Sequence, residues 1–264
     1  MGNILKRSRQ PTWLERERAR LINKYLDLLQ DSLLGAIYKD PPLLLNGLQH
    51  YDAETREYGW DWPSLAHTMI GRKRLANVRA LVESVLGNKV EGDLIETGVW
   101  RGGACILMRA ILDAYCVSDR TVWVADSFEG LPPPNGNKYP ADDGDTFHRY
   151  HELSVSIEQV RENFQAYGLL DGQVKFLKGW FKDTLHAAPI HKLALLRLDG
   201  DMYESTWDAL VALHHKVSSG GYVIIDDYHV VDGCRKAVHD FLEREMLQPD
   251  ITEIDGVGVY WRVA

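Results

Sequence analysis

The sequence is poor in three things, and each shortage removes a class of protein. Cysteine occurs only at Cys105, Cys116 and Cys234, an odd and scattered set with neither paired zinc spacing nor a disulfide framework. A reducing cytoplasm is therefore the expected setting. No apolar run approaches the length of a membrane span, and the N-terminus lacks the apolar stretch of a signal peptide. Met1-Gly2 does not complete a myristoylation site, because position 6 is Lys. Positive charge is also short: the formal net charge is -8, whereas nucleic-acid binding needs clustered Lys and Arg to neutralise phosphates. The brief basic opening Lys6-Arg7-Ser8-Arg9 is the exception. Neither a membrane nor a nucleic acid is expected as a partner.

The chain has 264 residues, enough for one large α/β domain with an added cap, and the reading divides it into 1–66 (helical cap and lid) and 67–264. From Trp13 to Tyr38 apolar residues recur at helical spacing, so an amphipathic helix or helix pair is expected there, stopped by Asp40-Pro41-Pro42. Its apolar face either caps a site or pairs with a second copy of the chain, which leaves a homo-oligomer open. Residues 46–63 are polar and aromatic (Tyr51, Tyr58, Trp60, Trp62), and read equally as a surface loop or a lid. A second helix is expected over Ile70–Leu86.

Beyond Gly87-Asn88 apolar runs and helices alternate at short intervals, the pattern of βαβ units on a parallel sheet. Strands are expected near Val90–Thr97, Thr121–Ala125, Val174–Leu177, Leu193–Leu198 and Tyr222–Ile225. Helices are expected near Gly102–Tyr115, Ile157–Tyr167, Ser205–Val217 and Cys234–Met246. The last two apolar runs flank Asp255-Gly256, which favours a tight turn between antiparallel edge strands.

Two of the expected strands end abruptly in paired acids: Leu195–Asp201 in Asp199 and Asp201, and Tyr222–Tyr228 in Asp226 and Asp227. Ligands of open α/β sheets bind at the C-terminal ends of the strands. Four carboxylates converging there repel one another unless a cation sits among them. The competing explanation is that strand-end aspartates cap the next helices, as Asp201 is placed to do; that accounts for one acid per strand, not two.

Glu96-Thr97-Gly98-Val99-Trp100-Arg101-Gly102-Gly103 leads from a strand through a glycine turn into a helix, where backbone can approach a ligand closely. Trp100 stands where a dinucleotide motif needs glycine, and no Gly-Lys-Ser/Thr follows to make a phosphate loop. Asp126, at the tip of the next strand, is placed to accept hydrogen bonds from ribose hydroxyls. Glu96 repels a phosphate and welcomes an ammonium. Together they favour S-adenosylmethionine over a nicotinamide dinucleotide.

Glu96–Gly103, Asp126-Ser127-Phe128-Glu129-Gly130-Leu131-Pro132, Gly179-Trp180-Phe181, Leu198-Asp199-Gly200-Asp201-Met202-Tyr203 and Ile225-Asp226-Asp227-Tyr228 resemble the macrocin O-methyltransferase family over most of the chain from about Asn46 onward. The resemblance implies a class I methyltransferase fold, a Rossmann-like seven-stranded sheet with the last strand antiparallel. It implies transfer of a methyl group from S-adenosylmethionine to a sugar hydroxyl of a glycosylated antibiotic, such as the noviose 4-hydroxyl of an aminocoumarin or a macrolide sugar. Glu96, Thr97, Gly98, Gly102, Asp126 and Ser127 would then hold the cofactor, with Gly179, Trp180 and Phe181 beside its adenine. Asp199, Asp226 and Asp227 would hold magnesium (Mg2+), and Asp201 would be the general base, with Asp199 beside it. The sequence alone leaves His229 as the rival base and His67 and His148 as weaker ones.

A sugar hydroxyl is a poor nucleophile, and a divalent cation chelating two neighbouring hydroxyls lowers its pKa and fixes its direction of attack. Oxygen-only ligands suit magnesium. A catechol presents the same chelating pair, so a catechol-type methyltransferase is the alternative, ahead of a nucleoside-binding domain or a metal-dependent hydrolase. The insert from Gly130 to His151 carries Asp142-Asp143-Gly144-Asp145. It lacks the later glutamate of a calcium loop and reads as solvated, with Tyr139 and Tyr150 offering flat walls to an aglycone.

Overall fold

A computed structural model describes residues 10, 12–44 and 47–264; the basic opening at Lys6–Arg9 and Met1-Gly2 lie outside the described residues. Helix α1 (Trp13–Leu33) starts where Thr12 and Glu15 cap each other's backbone N–H, a reciprocal arrangement that fixes a helix start. It is one helix rather than a pair, and it buries Leu26, Leu29 and Leu33 while Leu14, Leu21 and Leu28 stay exposed.

The stretch read as loop or lid folds into a short helix, α2 (Ala53–Tyr58), capped by Asp52. Behind it lies a buried ion pair, Arg56–Asp61 at 2.6 Å, with Arg56 also donating to the Asp40 carbonyl at 2.9 Å. A buried charge persists only when it is paired and hydrogen-bonded, so these bonds fasten the stretch to the body. Helix α3 (Gly71–Gly87) follows.

Strands β1 (Asp93–Thr97), β2 (Val122–Asp126), β3 (Val174–Lys178), β4 (Leu193–Leu198), β5 (Val217–Ile225), β6 (Thr252–Glu253) and β7 (Val259–Arg262) form one sheet in the order β3-β2-β1-β4-β5-β7-β6. The first five are parallel, and β7 runs antiparallel to both neighbours. This is the expected class I methyltransferase sheet, with one refinement: of the last two strands β6 alone lies at an edge, because β7 inserts beside β5. The turn between them closes as Asp255 accepts the N–H groups of Val257 and Gly258, both at 3.0 Å.

Apolar cores lie on both faces of the sheet. α1, α3, α4 (Gly103–Ala114) and α5 (Ile157–Ala166) cover one face. α7 (Tyr203–Leu213) and α8 (Asp232–Arg244) cover the other, with the one-turn α6 (Phe181–Thr184) at the rim. Burial on two faces explains why β4 is read as an apolar run rather than an alternating one. The helix expected over Ser205–Val217 starts two residues earlier and ends at Leu213, where His214–Lys216 tighten into a 3-10 turn. Among the described residues no helix is long and apolar enough to cross a membrane.

The insert corrects one expectation. Its Asp142 is not solvated: it is 3% exposed, and its carboxylate accepts the N–H groups of Tyr203 at 2.6 Å and Glu204 at 2.9 Å. The reason is tertiary, since α7 has no side-chain cap of its own and free N–H groups at a buried helix start need an acceptor.

Candidate active site

The sheet order reverses between β1 and β4, and a crevice opens at the C-terminal ends of the strands on either side of that point, where an open α/β sheet binds its ligand. On the β1 side it is lined by Glu96, Gly98, Val99 and Trp100, on the β2 side by Asp126 and Ser127, and on the β3 side by Trp180 and Phe181. Asp199 and Asp201 line it from β4, while Thr68, Met69 and Ile70 close it from the N-terminal segment. Thr97, Gly102 and Gly179 sit just behind the lining as backbone. Thr97 is buried, Gly102 caps α4 in a left-handed conformation, and the Gly179 N–H donates to the Asp126 carbonyl at 2.9 Å.

Gly98 is required by packing. Its φ is +85°, and a Cβ there would collide with the Asp199 carbonyl. The glycine turn and the acid-tipped strand therefore meet backbone to backbone. Asp126 holds the same turn from the other side, accepting the N–H groups of Val99 and Phe128, each at 2.7 Å. Burial raises its pKa, and these hydrogen bonds oppose the rise. Both oxygens are thus in use within the chain, so Asp126 orders the turn as well as facing the crevice. Trp100 ties the turn to the insert through Nε1, which donates to the Glu152 carbonyl at 2.8 Å.

The acid side is built differently. Strand pairing sets Glu96 of β1 opposite Arg197 of β4, and Leu198 opposite Ile225, so that Asp199 and Asp226 emerge side by side. Arg197 is fully buried. It donates to Glu96 at 2.5 Å and Asp199 at 2.7 Å, and pairs with Asp226. Arg74 of α3 pairs with the other Asp226 oxygen and with Asp255 at 3.0 Å. Glu96 also accepts from the Cys105 thiol at 3.0 Å. Its carboxylate, read from the sequence as a partner for an ammonium, is already engaged because β4 delivers a guanidinium beside it.

Arg197 pairs with Glu96, Asp199 and Asp226 and Arg74 with Asp226 and Asp255, so with Asp201 and Asp227 beside them six carboxylates stand around two guanidiniums. Asp201 and Asp227 pair with neither guanidinium, so carboxylate is in excess of cation here. The pKa of Glu96 is pushed up to about 7, chiefly by burial; Asp199 rises to about 6 and Asp201 to about 8, by burial first and then by neighbouring carboxylates. Asp227 is raised well above its ordinary value for the same reasons. Asp199, Asp226 and Asp227 can each present one oxygen so that all three lie within 4.8 Å of one another. An oxygen-only donor set with surplus negative charge is the chemistry that a hard divalent cation fits.

The capping explanation for the paired acids fails at Asp201. The Tyr203 and Glu204 N–H groups belong to Asp142, and α8, preceded by Val231, has no side-chain cap. Asp201 instead takes a left-handed φ of +56°, with its N–H donating to Asp227 Oδ2 at 3.2 Å. His229 does not line the crevice; its Nε2 lies 3.3 Å from Glu253. His67 is bonded to the Tyr167 hydroxyl at 2.8 Å. The two aromatic segments meet, Trp62 lying edge-on to Tyr150 with ring centroids 5.4 Å apart.

Sequence reasoning missed Arg74 and Arg197. Arg197 carried a legible signal, an arginine in the middle of a strand that is otherwise wholly apolar. Arg74 carried none, because it looks like any charged residue on an amphipathic helix. The α7 residues Glu204, Ser205 and Asp208, which line the crevice beyond Asp201, were also passed over.

Comparison with known proteins gives the family and the fold. The family described as Macrocin-O-methyltransferase (TylF) matches residues 22–263. The chain is 55% identical over 243 residues to the demethyldecarbamoylnovobiocin O-methyltransferase of Streptomyces niveus, covering 90% of this chain and 92% of that protein. It is 49% identical to the mycinamicin III 3''-O-methyltransferase of Micromonospora griseorubida, covering 91% and 96%. The solved structure of the O-methyltransferase NovP superposes with a TM-score of 0.89 at 54% identity, over 92% of this chain and 99% of that one. The calicheamicin methyltransferase CalS11, at 19% identity and a TM-score of 0.61, shares the fold.

Proposed function

The chain belongs to the macrocin O-methyltransferase family, and from that premise we propose that it methylates a deoxysugar hydroxyl of a glycosylated antibiotic, with S-adenosylmethionine as donor and magnesium at the strand-end aspartates. The acceptor we favour is the 4-hydroxyl of noviose on an aminocoumarin, since a relative at 55% identity is named for a novobiocin precursor. The observation that carries the reading is the surplus of buried carboxylate beside a crevice that a glycine turn and Asp126 have already ordered.

Magnesium, when bound, supplies chelation of the sugar diol and stabilisation of the charge that develops on the attacked oxygen. The protein's own residues do the rest. Asp199, Asp226 and Asp227 would hold the ion, with Arg197 and Arg74 fixing the carboxylates of Asp199 and Asp226 before anything binds. Asp201, lining the crevice beside Asp199, takes the hydroxyl proton. Gly98 and the turn it permits bring the donor's place and the acceptor's place against one backbone contact, as in-line displacement requires.

The test is conversion of demethyldecarbamoylnovobiocin with S-adenosylmethionine, followed by mass and position analysis of the product, beside a plain catechol. One methyl on the sugar is the expected result. Turnover of catechol with no reaction at the sugar would replace the proposal with a phenolic acceptor.

A further inference from the structure

The tetrad Asp142–Asp145, which resembles a piece of a cation loop, does something else. α7 is preceded by Met202, which offers no capping side chain. The acceptor for its first N–H groups comes from about sixty residues earlier: Asp142 Oδ1 takes Tyr203 at 2.6 Å and Asp142 Oδ2 takes Glu204 at 2.9 Å. α8 closes over the junction, since a Cβ on Gly233 would stand 3.0 Å from Asp142 Oδ1 and 3.2 Å from the Tyr203 nitrogen. The Tyr139 ring lies against that of Tyr203, with centroids 5.5 Å apart. Insert, α7 and α8 are thereby clasped at one buried carboxylate.

Two features of the site hang on this clasp. Asp201 stands two residues before Tyr203 and holds a left-handed conformation, which a side chain keeps only where the surroundings over-determine it. One anchor is its N–H bond to Asp227; the other is the α7 first turn that Asp142 pins. The start of the insert, Gly130–Pro132, and Leu153 just beyond its end form part of the crevice wall, so releasing the middle of the insert loosens that wall. Asp142 itself does not line the crevice.

We propose that Asp142 is a positioning residue for methyl transfer: by capping α7 from within the insert it sets the direction of Asp201 and holds the insert as a wall of the crevice. Its catalytic part rests on the function proposed above; its clasping part does not. A helix cap of this kind is worth enough to change an open-to-closed ratio by roughly tenfold.

The experiment compares the full-length protein with Asp142→Asn, which keeps one acceptor oxygen, and with Asp142→Ala, which keeps none. Trypsin nicking after the exposed Lys138 and Arg149 reports the insert without any acceptor. Steady-state kinetics with S-adenosylmethionine and demethyldecarbamoylnovobiocin report the site. Nicking is expected to accelerate roughly tenfold in Asp142→Ala and less in Asp142→Asn. The loss in turnover should fall on kcat, again roughly tenfold, with most of it recovered in Asp142→Asn and the Kd for S-adenosylhomocysteine within about twofold of wild type.

Unchanged nicking overturns the clasp. Faster nicking with wild-type kcat overturns the positioning role and leaves Asp142 a stability device. Should Asp142→Ala fail to fold, Asp142→Asn and Gly233→Ala, which crowds the clasp from α8, carry the same readouts. A wild-type protein that does not methylate the probe removes the proposed acceptor, and the nicking result still decides the clasp.

Discussion

The two halves of the crevice use acids in opposite ways. On the β1–β2 side, Asp126 spends both oxygens on backbone N–H groups, so its charge is satisfied within the chain and its effect is to order a turn. On the β4–β5 side, two buried guanidiniums serve Asp199, Asp226, Asp255 and, across on β1, Glu96, and Asp201 and Asp227 pair with neither. A protein rarely buries uncompensated charge, and it is this excess that the proposed cation would answer. The same residue type is structural in one half and a call for a ligand in the other, and the difference lies in the partners rather than in the strand-end position the two share.

The comparison breaks most visibly at the surplus itself. Asp227→Asn should lower kcat/KM by roughly a thousandfold, the scale on which an electrostatic anchor of a reaction is felt, while calorimetry shows S-adenosylhomocysteine binding little changed. Equal losses of both would mean that the acid half also builds the cofactor site. Next comes Arg197→Met, which leaves Glu96, Asp199 and Asp226 short of a buried partner. The expected cost is about 3–5 kcal/mol, read by calorimetry as a Tm roughly 10 °C lower.

On the satisfied side the effect should be smaller and of another kind. Asp126→Ala removes the acceptor of two turn N–H groups, each charged bond being worth about 1.5–3 kcal/mol, so S-adenosylhomocysteine affinity should fall by at least about tenfold. Metal affinity, measured with manganese by electron paramagnetic resonance, should stay near wild type, and a parallel loss would erase the distinction between the halves. Least of all should follow from His229→Gln. Its imidazole faces Glu253 outside the crevice lining, and kcat should change by less than about twofold, within the range of ordinary surface substitutions. A tenfold fall would return the proton to His229 and remove Asp201 as base.

How much of this was legible depended on the range of the forces involved. The strands and their acid tips are local signals: an apolar run buried on both faces, followed by Asp-Gly-Asp or Asp-Asp, reads the same in any context. So does Asp255-Gly256 between two short strands. The capping of α7 by Asp142, and the pairing of Arg74 with Asp226, join residues 61 and 152 apart, and nothing near either residue announces its partner. Arg197 lies between these cases, out of place in an apolar strand. Its meaning came only with the register that sets it beside Glu96.

The central claim, that the leftover charge of the acid half is answered by a divalent cation used in methyl transfer, is tested most directly by one measurement. Initial rates of sugar methylation are taken on the protein as purified, after EDTA and removal of the chelate, and after stepwise return of magnesium. Activity should vanish on chelation and return in full with magnesium, with S-adenosylhomocysteine affinity unchanged between the first two states. A rate indifferent to chelation would contradict the account and leave the surplus carboxylates without a function.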